Sequence, residues 1–215
     1  MPEKSGEISV RSRGRLPHWE AEGATYFVTF RLADSLPQSV LQEVEFERRD
    51  IVRIAQQQGR EFTIAEVKRL DKLFSERIDQ YLDSGAGACH LARPDIADLV
   101  ASGFQHFDGK RYWLEAWCVM PNHVHVLFSV FPGQPLDKIL HSWKSFTAKQ
   151  ANRLLGGTGQ FWQREYYDRF VRNAEEFNQF ARYIADNPAR ANLRNWKWVW
   201  TRSANAAVPA ASRQE

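Results

Sequence analysis

The stretch Val119-Met-Pro-Asn-His-Val-His-Val-Leu-Phe128 decides how the fold of this chain is interpreted. Apolar runs flank its Pro-Asn pair, a pattern that predicts a strand, a tight turn and a second strand. Successive side chains of a strand point to opposite faces of the sheet, so His123 and His125 share one face while Val124 and Val126 share the other. Two imidazoles on one rigid face can form half of a metal site. Two half-exposed histidines at a hairpin would give the same pattern.

The composition indicates one folded domain. The chain has 215 residues, of which 43% are hydrophobic and 13% aromatic, which is enough for a substantial core. With 29 Lys and Arg against 26 Asp and Glu, the net charge is +3, so charge alone does not identify a nucleic-acid-binding protein. Basic residues are nevertheless concentrated at the N-terminus and in 138–172, and acidic residues in 34–83. The two cysteines argue against a disulfide framework or a thiolate zinc site.

The location of the protein is also constrained by sequence. No apolar run approaches the roughly 18 residues that a membrane span needs. The N-terminus lacks the apolar core of a signal peptide. We therefore expect a cytoplasmic protein that has no membrane partner.

The predicted elements define an α+β fold. The first are a strand at 25–32, a helix at 38–57, a helix that follows the capping box at 63–66, and a helix that begins at 94. The central hairpin comes next, and then a helix at 136–154, a last strand at 161–172 and a helix from 173. This order is typical of a ferredoxin-like or RRM-like sandwich with an antiparallel sheet. We expect a basic flexible arm at 1–15, a single domain at 16–200 with a helical insertion at 34–110, and a disordered tail at 201–215.

The last predicted helix carries Tyr183 and Asn187, which lie one turn apart on the same side. Asn173 and Glu176 are its expected N-cap and third residue. Pro188 disfavours helix at Asn187, so the helix should stop or kink there. Taken alone, Tyr183 is a boundary aromatic and Asn187 the N-cap of a short helix that starts at Pro188.

In the sandwich, however, this helix can lie over the sheet face that carries His123 and His125. Tyr183 would then offer a phenol, and Asn187 an amide oxygen, beside two imidazoles. Two nitrogens and one oxygen could hold Mg²⁺ or Mn²⁺ while leaving room for phosphate oxygens. A metal-polarised phosphodiester with a tyrosine in line is a DNA strand-cleavage site.

Three basic segments are candidates for DNA binding: the N-terminal arm, the helix at 136–154 and the run at 161–172. Aromatic residues interleaved with arginines suit base stacking and phosphate neutralisation, although a solvated basic face or an aromatic edge strand would look similar. The candidate contacts are Arg11, Arg13, Arg15, Lys144, Lys149, Arg164, Arg169 and Arg172.

Two stretches resemble a known family. Met120-Pro-Asn-His-Val-His-Val-Leu127 resembles the HUH motif, and Tyr183-Ile-Ala-Asp-Asn-Pro-Ala-Arg-Ala-Asn-Leu193 the tyrosine helix, of the REP-associated tyrosine transposases. These belong to the single-tyrosine HUH transposases of insertion sequences. The resemblance extends to 24–33 and 161–172. It implies that His123 and His125 are metal ligands, that Tyr183 is the nucleophile, and that Asn187 replaces a third ligand that is often Gln in relatives.

The resemblance also implies a reaction and a substrate. Tyr183 would attack a phosphodiester of single-stranded DNA, which forms a 5′-phosphotyrosine and frees a 3′-hydroxyl. The substrate would be a hairpin from a repetitive extragenic palindrome (REP), handled by a monomer or homodimer associated with the bacterial nucleoid. Glu165 and Asp168 are candidates for the general base by position only.

Three other functions stay open at this point. A replication-initiator or relaxase-type nickase would use the same chemistry but usually has further domains. A metallohydrolase would need a carboxylate ligand and no essential tyrosine. A non-catalytic RNA-binding module of the same fold would carry aromatic residues at the positions of His123 and His125.

Overall fold

The computed structural model describes the backbone of residues 9–13, 16–20, 23–60, 63, 65–66, 69 and 78–202. Side chains are described from residue 23 onward, except for several residues within 38–80. The elements are β1 (Ser9–Arg13), β2 (Leu16–Glu20), β3 (Thr25–Arg31), α1 (Gln38–Gln57), α2 (Asp79–Asp83), a 3₁₀ turn (His90–Ala92), α3 (Pro94–Gln105), β4 (Tyr112–Val119), β5 (His123–Val130), α4 (Leu136–Leu155), β6 (Tyr167–Phe170), α5 (Ala174–Arg190) and β7 (Val199–Thr201). In this part of the chain no helix has the length and apolar character to cross a bilayer.

The main sheet has five strands in the order β6-β3-β5-β4-β7, and all neighbouring strands are antiparallel. The strand that carries the two histidines, β5, is therefore central. His125 pairs with Thr29 of β3 on one side and with Cys118 of β4 on the other. The predicted α+β class, with the histidine motif on a central strand of an antiparallel sheet, is confirmed.

The two faces of β5 pack against different helices. Val124, Val126 and Phe128 belong to the large core cluster that also contains residues of α3 and α4. Leu127 belongs to the second cluster, which contains Ile184 of α5. Because side chains alternate along a strand, the histidines of β5 lie on the α5 face. The predicted separation of histidines from valines is confirmed.

The helix α5 begins as predicted and ends later than predicted. The Oδ1 atom of Asn173 accepts a hydrogen bond of 2.9 Å from the Glu176 N–H, and the Glu176 carboxylate accepts one of 3.0 Å from the Arg172 N–H. Of the two outcomes expected at Asn187, a stop or a kink, the stop is wrong, since the helix continues through Pro188 to Arg190. Proline removes one N–H donor, but Asn187 and Pro188 are buried, and packing holds the last turn.

The predicted last strand at 161–172 is also wrong in extent and in position. Only Tyr167–Phe170 forms the edge strand β6, while Trp162 makes an isolated bridge to Leu32. The last strand is β7, a three-residue strand that pairs with β4. Arg202 follows it and donates its N–H to the Glu115 carbonyl over 2.7 Å. The expected disordered tail therefore includes ordered residues at 201–202, and 203–215 lie outside the described residues.

The N-terminal segment contains a hairpin that the sequence does not predict. The strands β1 and β2 are antiparallel, with Val10 opposite Trp19, although residues 1–15 were expected to form a flexible arm. Arg11 and Arg13 are in β1. Their side chains, and the whole of Arg15, lie outside the described residues, so the DNA contacts of this segment stay a prediction.

The segment 34–110, which sequence predicts to be a helical insertion, contacts the histidine hairpin. Its first and last predicted helices are confirmed as α1 and α3, and Thr63 and Glu66 make the reciprocal bonds of the predicted capping box, 2.8 and 3.2 Å long. Beyond α2, the Ala86 carbonyl accepts a 2.9 Å hydrogen bond from the Asn122 side chain. The Leu91 N–H donates to the Pro121 carbonyl over 3.1 Å. The insertion thus packs against the turn between β4 and β5.

Candidate active site

The two histidines of β5 form a buried, converging pair. Both are completely buried, and their Nε2 atoms are 3.0 Å apart. The Nδ1 atom of His123 lies 2.8 Å from Asn122 Oδ1, and the Nδ1 atom of His125 lies 2.7 Å from Thr29 Oγ1. Each ring is therefore held at Nδ1 and directs Nε2 to a shared point, an arrangement that is common in metal sites.

Both rings are electrically neutral at neutral pH. Burial lowers the pKa of His123 to about 3. Burial, and then the charges of His123 and Arg190, lower the pKa of His125 well below its ordinary value. Neutral imidazole is the form that binds metal ions.

Tyr183 lies beside this pair. The centroid of its ring is 5.1 Å from that of His125 and 5.8 Å from that of Phe27, both in edge-on geometry. Phe27 also stacks on His125 at 5.5 Å and on Phe180 at 4.4 Å. Helix α5 is thus fixed to the sheet by aromatic contacts that bring the phenol ring next to a histidine. The structure places the two sequence motifs in one site.

Asn187 is an unusual polar residue of α5. It lies one turn beyond Tyr183 on α5 and is completely buried. Among the residues that the structure describes, neither its Oδ1 nor its Nδ2 atom has a hydrogen-bond partner. An unsatisfied buried polar group costs about 1–3 kcal/mol, so the amide fits a site in which a ligand completes its bonding.

These residues fit a hard divalent cation. In octahedral coordination, neighbouring ligand atoms lie about 2.1 Å from the ion and form a right angle at it. Two such atoms are about 3.0 Å from each other, which matches the separation of the two Nε2 atoms. Within the described residues no group of three or more His, Cys, Asp or Glu side chains could hold a metal. A third ligand from this part of the chain must be of another type, and the Asn187 amide oxygen has the right chemistry.

Arg190 is a functional candidate that was not predicted from sequence. Its guanidinium carbon lies 5.1 Å from the centroid of the Tyr183 ring, and the residue is exposed. Its charge acts on His125, as noted, and on Asp83. Burial raises the pKa of the Asp83 carboxyl above its ordinary value, and the charge of Arg190 offsets part of that rise. Tyr183, Asn187 and Arg190 are spaced i, i+4 and i+7, which is the sequence signal for one helix face.

The expected general bases lie elsewhere. Asp168 of β6 pairs with Val28 of β3. Because side chains alternate along a strand, Asp168 lies on the face of the sheet opposite His125. Glu165 lines a groove beside Lys144. Of the other tyrosines, Tyr167 pairs with Thr29 and so shares the histidine face.

The candidate DNA-binding residues have different environments. The Lys144 ammonium donates to the carbonyls of Gln163 and Arg164 over 2.7 and 2.8 Å, and burial lowers its pKa to about 8. Arg169 and Arg172 both contact the Glu176 carboxylate. These three therefore have structural partners.

Lys149 and Arg164 are exposed. Arg164 also lines a groove of about 670 Å³ between α4 and the segment 159–166, together with Lys138, His141, Phe161 and Tyr166. Trp162, another lining residue, belongs to the core cluster on the α4 side of the sheet. The groove is therefore on the face opposite the histidines.

Comparison with known proteins finds a family similarity over part of the chain. Residues 100–187 match the profile of the family described as "Transposase IS200 like". No curated protein is significantly similar in sequence. Among solved structures, a REP-associated tyrosine transposase bound to a REP hairpin is 16% identical with a TM-score of 0.43, and the match covers 89% of this chain and 82% of that one. A crystal structure from Deinococcus radiodurans R1, described as a candidate transposase, is 14% identical with a TM-score of 0.30, covering 87% and 98%.

The matched segment contains both histidines, Tyr183 and Asn187. It also extends from α3 through β4, β5, α4 and β6 into α5, which are the elements that build the site. The resemblance inferred from the two motifs is confirmed at the level of the transposase family. Over residues 100–187 this chain is similar to the IS200-like transposases.

Proposed function

We propose that the protein is a metal-dependent tyrosine transposase that cuts and rejoins single-stranded DNA through a 5′-phosphotyrosine. The observation that carries the proposal is the position of Tyr183, whose ring lies 5.1 Å from that of His125, while the Nε2 atoms of His125 and His123 converge to 3.0 Å. The family of residues 100–187 supports the same class of reaction. The experiment that tests it is detection of a covalent protein–DNA adduct.

His123, His125 and Asn187 would hold Mg²⁺ or Mn²⁺. Such an ion, when bound, polarises a phosphate and stabilises the charge that develops on its oxygens. The neutral imidazoles and the unpartnered amide of Asn187 support this assignment. The chain contributes rigid orientation, because the δ nitrogens of both histidines are already bonded.

Tyr183 would act as the nucleophile. Its phenol oxygen forms a bond to phosphorus as the bond from phosphorus to the 3′ oxygen breaks. The phenol loses a proton, and the departing 3′ oxygen gains one and leaves as a hydroxyl. One phosphate ester replaces another, so a 3′-hydroxyl can reverse the step and join strands without an external energy source.

Arg190 would bind the scissile phosphate. Arginine suits phosphate because its planar fork donates two parallel hydrogen bonds, and Arg190 is an exposed cation 5.1 Å from the Tyr183 ring centroid. We expect Arg190→Gln to slow cleavage about 100-fold, as is typical when one donor to a developing negative charge is removed. Arg190→Lys should recover part of the rate, since it restores charge without the fork. Single-turnover cleavage at saturating DNA measures both.

Arg182 provides the matched control for this prediction. It is an exposed arginine on the same helix, one residue before Tyr183, and Arg182→Gln makes the same change in net charge. Cleavage by Arg182→Gln should stay near the wild-type rate. Equal losses in the two variants would show that only the overall charge of α5 matters and would remove Arg190 from the site.

The proposed substrate is a DNA hairpin flanked by a single-stranded segment. The resemblance to REP-associated transposases motivates it. The exposed Lys149 and Arg164 supply charge, and Tyr166, which lines the same groove as Arg164, supplies an aromatic surface. We expect tight binding to such a hairpin and weak binding to the same sequence as a blunt duplex. The logarithm of affinity should fall with the logarithm of salt concentration by about 0.7 per phosphate neutralised on a single strand.

Fluorescence anisotropy with one labelled strand, folded alone or annealed to its complement, measures both quantities. The duplex is the control for charge, because it carries more phosphates than the hairpin. Equal affinity for the two forms would contradict the substrate proposal, while leaving the cleavage chemistry at Tyr183 intact.

The structure favours this function over two of the alternatives. An RNA-binding module of this fold would expose aromatic residues on the sheet, whereas here His123 and His125 are buried under α5. A metallohydrolase would need a carboxylate ligand, and within the described ranges no cluster of carboxylates with the histidines is present. A replication-initiator nickase shares the chemistry proposed here.

A further inference from the structure

The segment that follows α2 contacts the side chain that holds His123. Asn122 is completely buried, and its Nδ2 atom donates a 2.9 Å hydrogen bond to the Ala86 carbonyl. This bond decides which way the amide faces, since only Nδ2 can donate. The Oδ1 atom is left 2.8 Å from His123 Nδ1. The backbone of the insertion therefore sets the orientation of a group in direct contact with the site.

The orientation of Asn122 in turn decides the tautomer of His123. An amide oxygen only accepts hydrogen bonds, so His123 must carry its proton on Nδ1 and present a lone pair at Nε2. Without a cation, His125 Nε2, at 3.0 Å, must donate to that lone pair. The Thr29 hydroxyl then donates to His125 Nδ1 over their 2.7 Å contact.

The loop that carries Ala86 cannot easily shift. Gly87 has a φ of +87°, and a Cβ atom on it would lie 2.6 Å from the Asp34 carbonyl oxygen. The next residue, Ala88, donates its N–H to the Asp34 carboxylate over 2.8 Å. A side chain at Gly87 would force the loop away from Asp34 and move the Ala86 carbonyl with it.

The other end of the same segment reaches the tyrosine side of the site. Asp83, the last residue of α2, is half-buried and close enough to Arg190 for their charges to interact. Arg190 lies over Tyr183. Ala86 thus contacts Asn122 beside His123, and the charge of Asp83 interacts with that of Arg190, although sequence predicted no chemistry in this part of the chain.

We propose that the segment 83–89 is a positioning element of the active site, which acts through Asn122 to hold His123 in the tautomer that presents Nε2 to a cation. The effect of this segment on metal binding and cleavage rests on the proposed metal-dependent function. Its structural part concerns the metal-free protein and can be tested separately.

The first test is ¹⁵N NMR of the imidazole rings in the metal-free wild-type protein. We expect His123 with hydrogen on Nδ1 and His125 with hydrogen on Nε2. Added MgCl₂, which is diamagnetic, should move the His125 hydrogen to Nδ1, where Thr29 can accept it. A His123 ring with hydrogen on Nε2 in the metal-free protein would overturn the proposal, whether or not the protein cleaves DNA.

The second test compares Gly87→Ala with Gly133→Ala. Both glycines have positive φ, +87° and +75°, but a Cβ on Gly133 meets nothing within 4 Å. Both variants place an alanine at a positive φ and so share that backbone strain. Only Gly87→Ala also forces the loop away from Asp34. We expect Gly87→Ala to weaken Mn²⁺ binding roughly tenfold, a loss typical of groups that orient metal ligands. Gly133→Ala should bind Mn²⁺ like the wild type. Titration with MnCl₂ followed by electron paramagnetic resonance measures both.

Cleavage then separates positioning from general damage. Saturating Mn²⁺ should restore most of the cleavage rate of Gly87→Ala, because Tyr183 is untouched. If Gly87→Ala does not fold, Asp34→Ala replaces it, since this change removes the carboxylate that accepts from the Ala88 N–H and so releases the loop that carries Ala86. Mn²⁺ affinity unchanged in the folded variant would refute the proposal. A wild-type protein that shows the expected tautomers but neither binds Mn²⁺ nor cleaves DNA would instead refute the proposed function.

Discussion

Replacement of Tyr183 by phenylalanine is expected to abolish the covalent protein–DNA adduct. The substitution removes one oxygen atom and retains the ring that packs against His125 and Phe27. The fold and the histidine pair should therefore be unchanged, while the bond to phosphorus cannot form. Loss of a nucleophile lowers the rate by about 10⁴-fold or more. A hairpin substrate labelled at its 3′ end, incubated with Mn²⁺ and separated in a denaturing gel, reveals the adduct as a labelled protein band.

Tyr167 provides the matched control for Tyr183. It is the cross-strand partner of Thr29 and shares the histidine face of the sheet. Two further tyrosines lie elsewhere: Tyr112 donates its hydroxyl to the Phe104 carbonyl in the core, and Tyr166 packs against the core cluster on the α4 side. Tyr167→Phe should keep the adduct. If the adduct survives in Tyr183→Phe and disappears in Tyr167→Phe, the nucleophile is on β6 and the assignment to α5 is wrong.

The parts of the fold that were predictable from sequence have strong local patterns. The alternation of His123, Val124, His125 and Val126 gives the two faces of β5 directly, because strand geometry fixes where each side chain points. The boundaries of α1, α3 and α4 follow from proline at their starts and from apolar periodicity. In each case the information lies within a few residues.

The errors arise where tertiary contacts override local patterns. The strand β7 has three residues, too few for a visible alternation, and exists because it pairs with β4. The segment before Tyr167 is aromatic enough to look like a strand, but Trp162 uses its indole to reach Thr147 in the core. Pro188 stays helical because buried packing outweighs one missing backbone bond.

For the site, sequence indicates residue types but not their partners. The motifs select His123, His125 and Tyr183, which the structure brings together. They do not reveal that the Lys144 amine is occupied by backbone carbonyls, because those carbonyls belong to a distant segment. The contacts of Arg190 with Tyr183 and of Ala86 with Asn122 likewise depend on how α5 and the insertion pack.

Replacement of either histidine by alanine is expected to abolish cleavage and to leave hairpin binding nearly unchanged. Each ring supplies one of the two converging Nε2 atoms, so a single substitution removes half of the imidazole set. The exposed basic residues Lys149 and Arg164 lie away from the buried pair and should still bind DNA. Asn187→Ala should be milder, since a water molecule can take the place of one amide oxygen. Adduct formation, hairpin affinity and Mn²⁺ titration, measured on the same preparations, separate these effects.

Two controls make the histidine result interpretable. His106→Ala removes an exposed histidine that directly follows α3 and should leave cleavage at the wild-type level, which excludes a general effect of lost imidazole. Because His123 and His125 are completely buried, alanine leaves a cavity, so thermal unfolding must show that each variant is folded before its activity is compared. Wild-type protein in EDTA should then behave like the folded variants. Undiminished cleavage in EDTA, or by either histidine variant, would mean that the pair supports the fold of β5 and that Tyr183 acts without a metal.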